Sequence, residues 1–388
     1  MLLCVFLLSD ALYMGNFIRK ARLMIRVLQV VTYMGRGGLE TMLMNYYRHM
    51  DRNKVQFDFL VHRDFEADYD REILSMGGKI YHVSRLIPWS MGYRKELKMF
   101  FKEHPEYKIV HVHQDCLSSV ALQCAEECGV PVRIAHSHNS NQDRNIKYII
   151  KRYYMKQITQ FATDCFACGK NAGDWMFAGH RYQILHNAIN TSAYTYSYVK
   201  AVAIRERLHV EQNLVIGHIG RFDPQKNHTF LLDIFSECVK LVSNAKLLLV
   251  GDGEGKTQIQ EKAKLLGLED KVIFTGVRSD VADLLQAMDV FVFPSLYEGV
   301  PVTMIEAQSS GLPCVISDGV PKECVITSGL VTTMRLTDMP HDWAKHIVER
   351  SQIKRENHLS EIQAAGYDIV MAAKELENFY LTKYGEES

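Results

Sequence analysis

The chain has 388 residues, 47% of them apolar, and balances 45 basic against 45 acidic side chains. That length allows two domains with cores of their own and argues against wholesale disorder. Zero net charge argues against a nucleic-acid partner, and nine cysteines scattered through apolar segments suit reduced, buried thiols in a cytosolic protein.

Residues 1–23 hold an apolar run broken by Asp10, with no basic region before it and little length for a spanning helix. They read as an extension, or more remotely a weak membrane anchor, ahead of a globular pattern that begins at Met24. A strand over 25–32 leads into MGRGGLE and an amphipathic helix from about Thr41 to Met50. Gly35, Gly37 and Gly38 let the backbone approach a ligand closely, although most glycine-rich loops are only turns. Further strands are expected at 55–62, 79–83 and 109–113, with a basic helix at 93–103. Asp68 and Asp70 form a D-x-D of the kind that can hold a metal. Their place at the opening of ADYDREILSMGG makes charge at a helix N-terminus the better account.

Residues 130–140, VPVRIAHSHNS, read as a strand ending at two histidines. His136 and His138 share a face if the strand continues. Ligands collect at the carboxyl ends of strands in an open α/β sheet. Residues 144–157, RNIKYIIKRYYMKQ, carry five basic and no acidic side chains among Ile and Tyr. At helical spacing this segment either meets an anionic lipid surface or covers a core with a solvated basic face. Cys165 and Cys168 form a C-x-x-C, but on a strand they point to opposite faces, which argues against a metal or redox pair. Residues 191–210 read as connector and helix.

The pattern then restarts. NLVIGHIGRFDPQKN, residues 213–227, is a strand, a loop with Arg221, and a turn with Lys226. Gly251, Gly253 and Gly255 imitate a dinucleotide fingerprint weakly, without its expected context. Residues 289–317 read as strand, loop, helix, turn, strand. The apolar run from Val290 to Phe293 suits a buried parallel strand. A helix follows from Val302 to Ser310, with Gly311 as its cap and Pro313 blocking continuation. Glu298 precedes this helix and Glu306 lies within it. A phosphate on the free N–H groups at the helix start would leave both carboxylates to accept hydroxyl groups. That suits a sugar nucleotide; from the pair alone, a solvated Glu and a cap fit equally well. Past residue 317 the strand and turn signals fade, and 338–380 look mainly helical.

The run FPSLYEGVPVTMIEAQSSGLP resembles the glutamate-pair motif of the retaining glycosyltransferases of family 4. The GGLE loop, the HSHN segment, and the Arg221/Lys226 pair agree with it. Alternating strands and helices by themselves give doubly wound α/β domains. The resemblance implies the GT-B fold: two Rossmann-like domains, over 24–190 and 200–365, facing one another across a cleft. A terminal helix within 366–388 would return to the first domain. By the same resemblance Glu298 contacts the donor sugar and Glu306 its ribose. Gly37 and Gly38, with Gly299 and Val300 at the later helix, lie against the diphosphate, and Arg221 and Lys226 neutralise it. The backbone of residues 271–277, read as a strand and turn, lies near the base. His138, or alternatively His136, stands near donor sugar and acceptor.

The implied reaction moves a sugar, with retained configuration and no metal or cofactor, from a nucleotide sugar. UDP-sugars are favoured and GDP-mannose is possible. The implied acceptor is a lipid-linked saccharide at the cytoplasmic membrane face, in capsule or exopolysaccharide synthesis. The rivals are a nucleotide-sugar epimerase on the same fold and a non-catalytic sugar-nucleotide-binding partner subunit.

Overall fold

The computed structural model describes residues 24–139 and 147–386. The expectation for residues 1–23, and the opening of the basic segment at 144–146, lie outside the described residues. Two parallel sheets organise the chain. The first contains β1 (Ile25–Val30), β2 (Val55–Val61), β3 (Ile80–His82), β4 (Ile109–Val112), β5 (Val132–Ser137), β6 (Asp164–Ala167) and β7 (Gln183–Ile184), in the order β3-β2-β1-β4-β5-β6-β7. The second contains β8 (Val215–Ile219), β9 (Lys246–Val250), β10 (Val272–Phe274), β11 (Val290–Phe293), β12 (Cys314–Ser317) and β13 (Val331–Met334), in the order β10-β9-β8-β11-β12-β13. The central strands β4, β8, β11 and β12 are buried along their whole length. Helices cover both faces of such a sheet, which is why these strands are mainly apolar, with His111 on β4 and His218 on β8 as buried exceptions.

Each sheet reverses direction once. β1 pairs in parallel with both β2 and β4, and β8 with both β9 and β11. Loops leaving neighbouring strands at such a point run to opposite sides and open a crevice at the carboxyl ends. In the first sheet that edge carries the glycine loop after β1 and His113 after β4. In the second it carries Arg221 after β8 and Glu298 after β11.

The last helix, Ile369–Glu386, leaves the second domain and packs in the first. Its Ile369, Ala372, Ala373, Leu376 and Tyr380 share one core with Val27 of β1 and Phe57 of β2. The crossing point is fastened by Ile189, whose N–H donates to the Tyr367 carbonyl and whose carbonyl accepts from the Ile369 N–H, and by Thr191, whose hydroxyl donates to Asp368.

Three local readings change. The helix after the glycine loop starts at Gly38, so the loop glycine forms its first turn. The D-x-D is split: Asp70 opens the helix Asp70–Ser75 and Asp68 precedes it. A strand was not expected beyond residue 317, yet β13 pairs with β12. It is a half-exposed edge strand, VTTM, with too few apolar residues to produce a signal. Among the described residues, no helix is long and apolar enough to cross a membrane.

Candidate functional site

The second-domain crevice is built first from β8. After Ile219 the chain turns through Gly220 and Arg221 into the short 3-10 turn Pro224–Lys226, capped by the Asp223 carboxylate on the Lys226 N–H. The three glycines at 251–255 support this turn rather than a dinucleotide. A Cβ on Gly251, at φ +139°, would meet the Gly220 carbonyl oxygen at 2.1 Å, and the Gly255 N–H donates to Phe222. Only glycine lets the two loops pack this closely.

Lys226 turns inward. Its Nζ lies 2.6 Å from Glu298 Oε1 and 4.7 Å from the centre of the Phe293 ring. Both partners are largely enclosed, with side-chain exposures of 16% and 6%. A charge-assisted bond in this setting is strong and resists screening. Arg221 differs: its side chain is 68% exposed, with the nearest carboxylate, Asp223, 3.9 Å away. The two cations therefore do not share one partner. Arg221 is instead the positive charge felt by Glu40 of the first domain.

Glu40 sits in the mouth of the glycine loop. A Cβ on Gly37 would meet its carboxylate oxygen at 2.2 Å, whereas a Cβ on Gly38 would meet nothing. The Gly37 N–H and its own N–H donate to this carboxylate, although burial raises its pKa overall. A carboxylate held by N–H groups at a helix start occupies the place an anionic ligand would take.

Glu306 is buried in the middle of the helix Val302–Ser309. Burial pushes its carboxyl up to about 7, against the opposing bond from Tyr194. The Tyr194 hydroxyl, from the interdomain linker, donates to Glu306 Oε1 at 2.6 Å. Gly299 and Val300 form the seam between domains. A Cβ on Gly299 would lie 2.6 Å from the His138 carbonyl oxygen. The Val300 carbonyl accepts from Asn187 at 2.5 Å, and its N–H faces the Cys168 thiol. Val300 is thus held as an interdomain strut, with both backbone groups engaged.

In the first domain, His138 is half-buried and its Nε2 lies 2.9 Å from His113 Nδ1. Burial lowers its pKa to about 3, which keeps the ring neutral. His136 lies inside β5, fully buried, one layer below. The structure therefore brings Lys226 to Glu298, Tyr194 to Glu306, and His138 to Gly299. Sequence reasoning missed Tyr194 and Asn187, since linker side chains carry no periodic signal. It also missed His111 and His113, whose alternation on one strand was readable. Asp68 and Asp70 diverge: Asp70 is buried and accepts from the Ala67 N–H, while Asp68 lies 3.8 Å from Arg36. Beside Asp68, a cavity of about 350 Å³ opens between Tyr33 and Phe65, whose rings are 5.6 Å apart.

Comparison with known proteins places this architecture. Residues 36–193 match the model described as Glycosyltransferase Family 4, and residues 213–352 the one described as Glycosyl transferases group 1. The chain is 35% identical over 368 residues to the putative glycosyltransferase EpsF of Bacillus subtilis, covering 92% of this chain and 96% of that protein. It is 27% identical over 242 residues to an Escherichia coli UDP-Gal:alpha-D-GlcNAc-diphosphoundecaprenol alpha-1,3-galactosyltransferase, covering 59% of this chain and 62% of that one. The structure of Anabaena HepE in complex with UDP-glucose superposes with a TM-score of 0.75 at 20% identity, over 92% of this chain and 100% of the other, and shares the GT-B fold. Two facing parallel-sheet domains, tied by a returning helix and matched along both halves, make this chain a glycosyltransferase of family 4.

Proposed function

We propose that this protein transfers a sugar, with retained anomeric configuration, from a nucleoside diphosphate sugar to a hydroxyl of a lipid-linked saccharide. The favoured donor is a UDP-sugar, with GDP-mannose as the other candidate, and the setting is capsule or exopolysaccharide assembly. The observation that carries the reading is the enclosed Lys226–Glu298 pair beside the buried Glu306, at the carboxyl ends of β8 and β11. The relatives' names support the donor and acceptor classes.

In this reading the bond from the sugar's anomeric carbon to the diphosphate oxygen breaks as the bond to the acceptor oxygen forms. The electron pair leaves with the diphosphate, and the acceptor's proton ends on that leaving group. Lys226 and Arg221 face the growing negative charge, which lowers the barrier because the charge is larger in the transition state than in the bound donor. They supply what a divalent cation supplies in other transferases, so the reaction runs without a metal or organic cofactor. Donor binding would exchange one set of contacts for another. Phosphate oxygens take Lys226 from Glu298, and the freed carboxylate orients the sugar. The ribose hydroxyls take Glu306 from Tyr194, and the diphosphate takes the N–H groups of Gly37 and Gly38 from Glu40. Gly299 and Val300 then shape the donor pocket through the seam. His138 faces the acceptor as a neutral ring, with the aromatic cavity between Tyr33 and Phe65 suited to a saccharide. The enzyme works in the cytoplasm, peripherally at the inner membrane face, where the basic helix Lys147–Met155 meets anionic lipid.

The test is a screen of nucleotide sugars for thermal stabilisation, since a donor well above its dissociation constant raises the melting temperature by mass action. The best binder is then supplied with lipid-diphosphate saccharides. Nucleotide release that depends on acceptor supports the transferase. Release of a rearranged sugar nucleotide without acceptor would give the epimerase, and binding with no turnover on any acceptor the non-catalytic subunit.

A further inference from the structure

Two neighbouring parallel strands of the first sheet each carry a His-x-His. His111 lies on β4 with His113 directly after it, and β5 carries His136 with His138 following. The register sets His111 beside Ile134 and Val112 beside Ala135. Alternate residues point to one face, so all four rings come together at the carboxyl edge of the sheet. His111, His113 and His136 are 1%, 4% and 0% exposed. One ring nitrogen from each lies within 4.8 Å of the other two.

The hydrogen bonding around these rings is incomplete in a particular way. Both nitrogens of His136 and Nε2 of His111 have no partner among the described residues. Buried imidazole nitrogens without partners are costly, and a native fold normally satisfies them. His113 Nδ1 faces His138 Nε2 at 2.9 Å, within the cluster, and two further nitrogens are held from outside. Gln29 Oε1 lies 2.9 Å from His113 Nε2, and the Tyr380 hydroxyl 2.7 Å from His111 Nδ1. The Gln29 carbonyl oxygen can only accept, so His113 carries its proton on Nε2, and its Nδ1 lone pair accepts from His138 Nε2, a bond that a bound cation would replace. If His111 donates from Nδ1 to Tyr380, its Nε2 is bare. The oxygen partners behind His111 and His113 are of the kind that orients histidine ligands on metals, while His136 has neither nitrogen engaged.

We infer that His111, His113 and His136 form a buried site for a zinc-class divalent cation, with His138 or a water as the fourth ligand. Three neutral imidazoles suit Zn²⁺ rather than Mg²⁺ or Ca²⁺, which demand oxygen ligands. A tetrahedral site with metal–nitrogen bonds of about 2.1 Å brings ligand nitrogens to roughly 3.4 Å apart, so the rings must swing inward by about an ångström. The ion would tie β4 and β5 to the returning helix through Tyr380 and to β1 through Gln29. It would stand beneath the His138 loop that meets Gly299. Its role is structural: it touches neither the Lys226–Glu298 pair nor Glu306, and the inference stands whether or not the proposed transfer is correct.

The full-length protein, stripped with dipicolinate and desalted, is titrated with Co²⁺. The expected result is one equivalent bound per chain, with the intense visible bands of a tetrahedral nitrogen site, displaced by one equivalent of Zn²⁺. Zn²⁺ raises the melting temperature of the stripped protein, while Mg²⁺ does not. His136→Phe and His111→Phe abolish the bands, and His341→Gln with His346→Gln on the surface leaves them unchanged. Tyr380→Phe weakens binding by about 10- to 100-fold, the usual effect of losing an outer-shell partner. Should the histidine variants fail to fold, the parent protein still decides through its stoichiometry and its cobalt spectrum. No stoichiometric binding by the parent, octahedral bands, or bands that persist in a folded His136→Phe protein would overturn the site.

Discussion

At the reversal point of the second sheet, the strand ends carry Arg221, Lys226, Glu298 and, one helix further, Glu306. At the same point of the first sheet they carry His113 and His138, with His111 and His136 below. The two crevices share one topology, order β2-β1-β4 in the first and β9-β8-β11 in the second. Their chemistry is opposite. Burial holds the four imidazoles neutral, whereas the second crevice encloses an ion pair and a carboxyl near its titration point. A doubly wound sheet thus supplies a place for a ligand without choosing it. In the proposed reaction the charged wall would meet a diphosphate, while the other wall offers unprotonated imidazoles, the form in which histidine binds a cation.

The largest break in this contrast should come from Lys226. Lys226→Ala is expected to lower turnover by about 10²–10³, the usual loss of one preorganised donor to a charge that develops in the transition state. Arg221→Ala should lower it too, and the double variant should lose less than the product of the two, since both act on one leaving group. Removing the lysine also takes its cation away from the enclosed Glu298 carboxylate, so the melting temperature should fall, and turnover is compared at a temperature where the variant is folded. A folded Lys226→Ala protein with more than about half its turnover would remove the leaving-group role.

Next in size is Glu306. Glu306→Ala should weaken donor binding by about 1.5–3 kcal/mol, the range for a hydrogen bond to a charged group, and change the chemical step less. Calorimetry checks this, and unchanged donor affinity would take Glu306 out of the site. Its pH behaviour sharpens the point. The folded pKa of about 7 lies above the ordinary carboxyl value of 4.5, so the folded state binds more protons between them. Stability from this group is full below about 4.5 and is lost as pH rises through about 7. Donor affinity should move the other way, rising through the same window, because the carboxylate accepts hydroxyls better than the acid does. Glu306→Gln should flatten both profiles.

How much of this was readable follows the same division. The parallel sheets announced themselves, because β11 is apolar on both faces and β4, β8 and β12 are nearly so. The Glu298–Glu306 motif stood out because a helix start, two carboxylates and a proline fall within a few residues. Partnerships between distant segments were not readable. Nothing in AYTYSYV marks Tyr194 as the group that reaches Glu306, and nothing in LHNAIN marks Asn187 as the hand that holds Val300. The pair read as two phosphate cations is uneven, since Lys226 turns onto Glu298 while Arg221 stays in solvent facing Glu40. β13 escaped because an edge strand needs less apolar surface than a central one. The alternation His111, His113, His136, His138 was visible in the letters, but its meaning required knowing that β4 and β5 are neighbours.

A smaller effect is expected at the surface. In the helix Lys147–Met155, Ile149 and Tyr153 are exposed beside Arg152, with Lys156 just beyond. Each basic side chain near an anionic surface contributes roughly 1 kcal/mol. Changing Lys147, Lys151, Arg152 and Lys156 together to Gln should reduce sedimentation with anionic vesicles and leave donor binding alone. Equal sedimentation of variant and parent would make the helix merely structural.

The smallest expected effect is none at all, and it tests where the positive charge of the reaction comes from. Asp68 and Asp70 are the carboxylates whose spacing suggests a catalytic cation. In the fold they part: the buried Asp70 accepts from the Ala67 N–H at 2.8 Å, and Asp68 is drawn toward Arg36. A two-carboxylate site for Mg²⁺ or Mn²⁺ needs both oxygens on one ion at about 2.0–2.1 Å, with near-octahedral geometry. Releasing Asp70 for that purpose would open the start of its own helix. In the proposed reaction the charge needed by a departing diphosphate would come from Lys226 and Arg221, on the opposite domain. Enzyme treated with chelator and desalted should therefore turn over at the same rate with and without Mg²⁺ or Mn²⁺, and Asp68→Asn should be nearly silent. The buried histidines set a separate expectation, because a rate restored by Zn²⁺ alone would report their structural ion. Restoration by Mn²⁺, lost again in Asp68→Asn, would move the cation to the first domain and reverse the contrast between the two crevices.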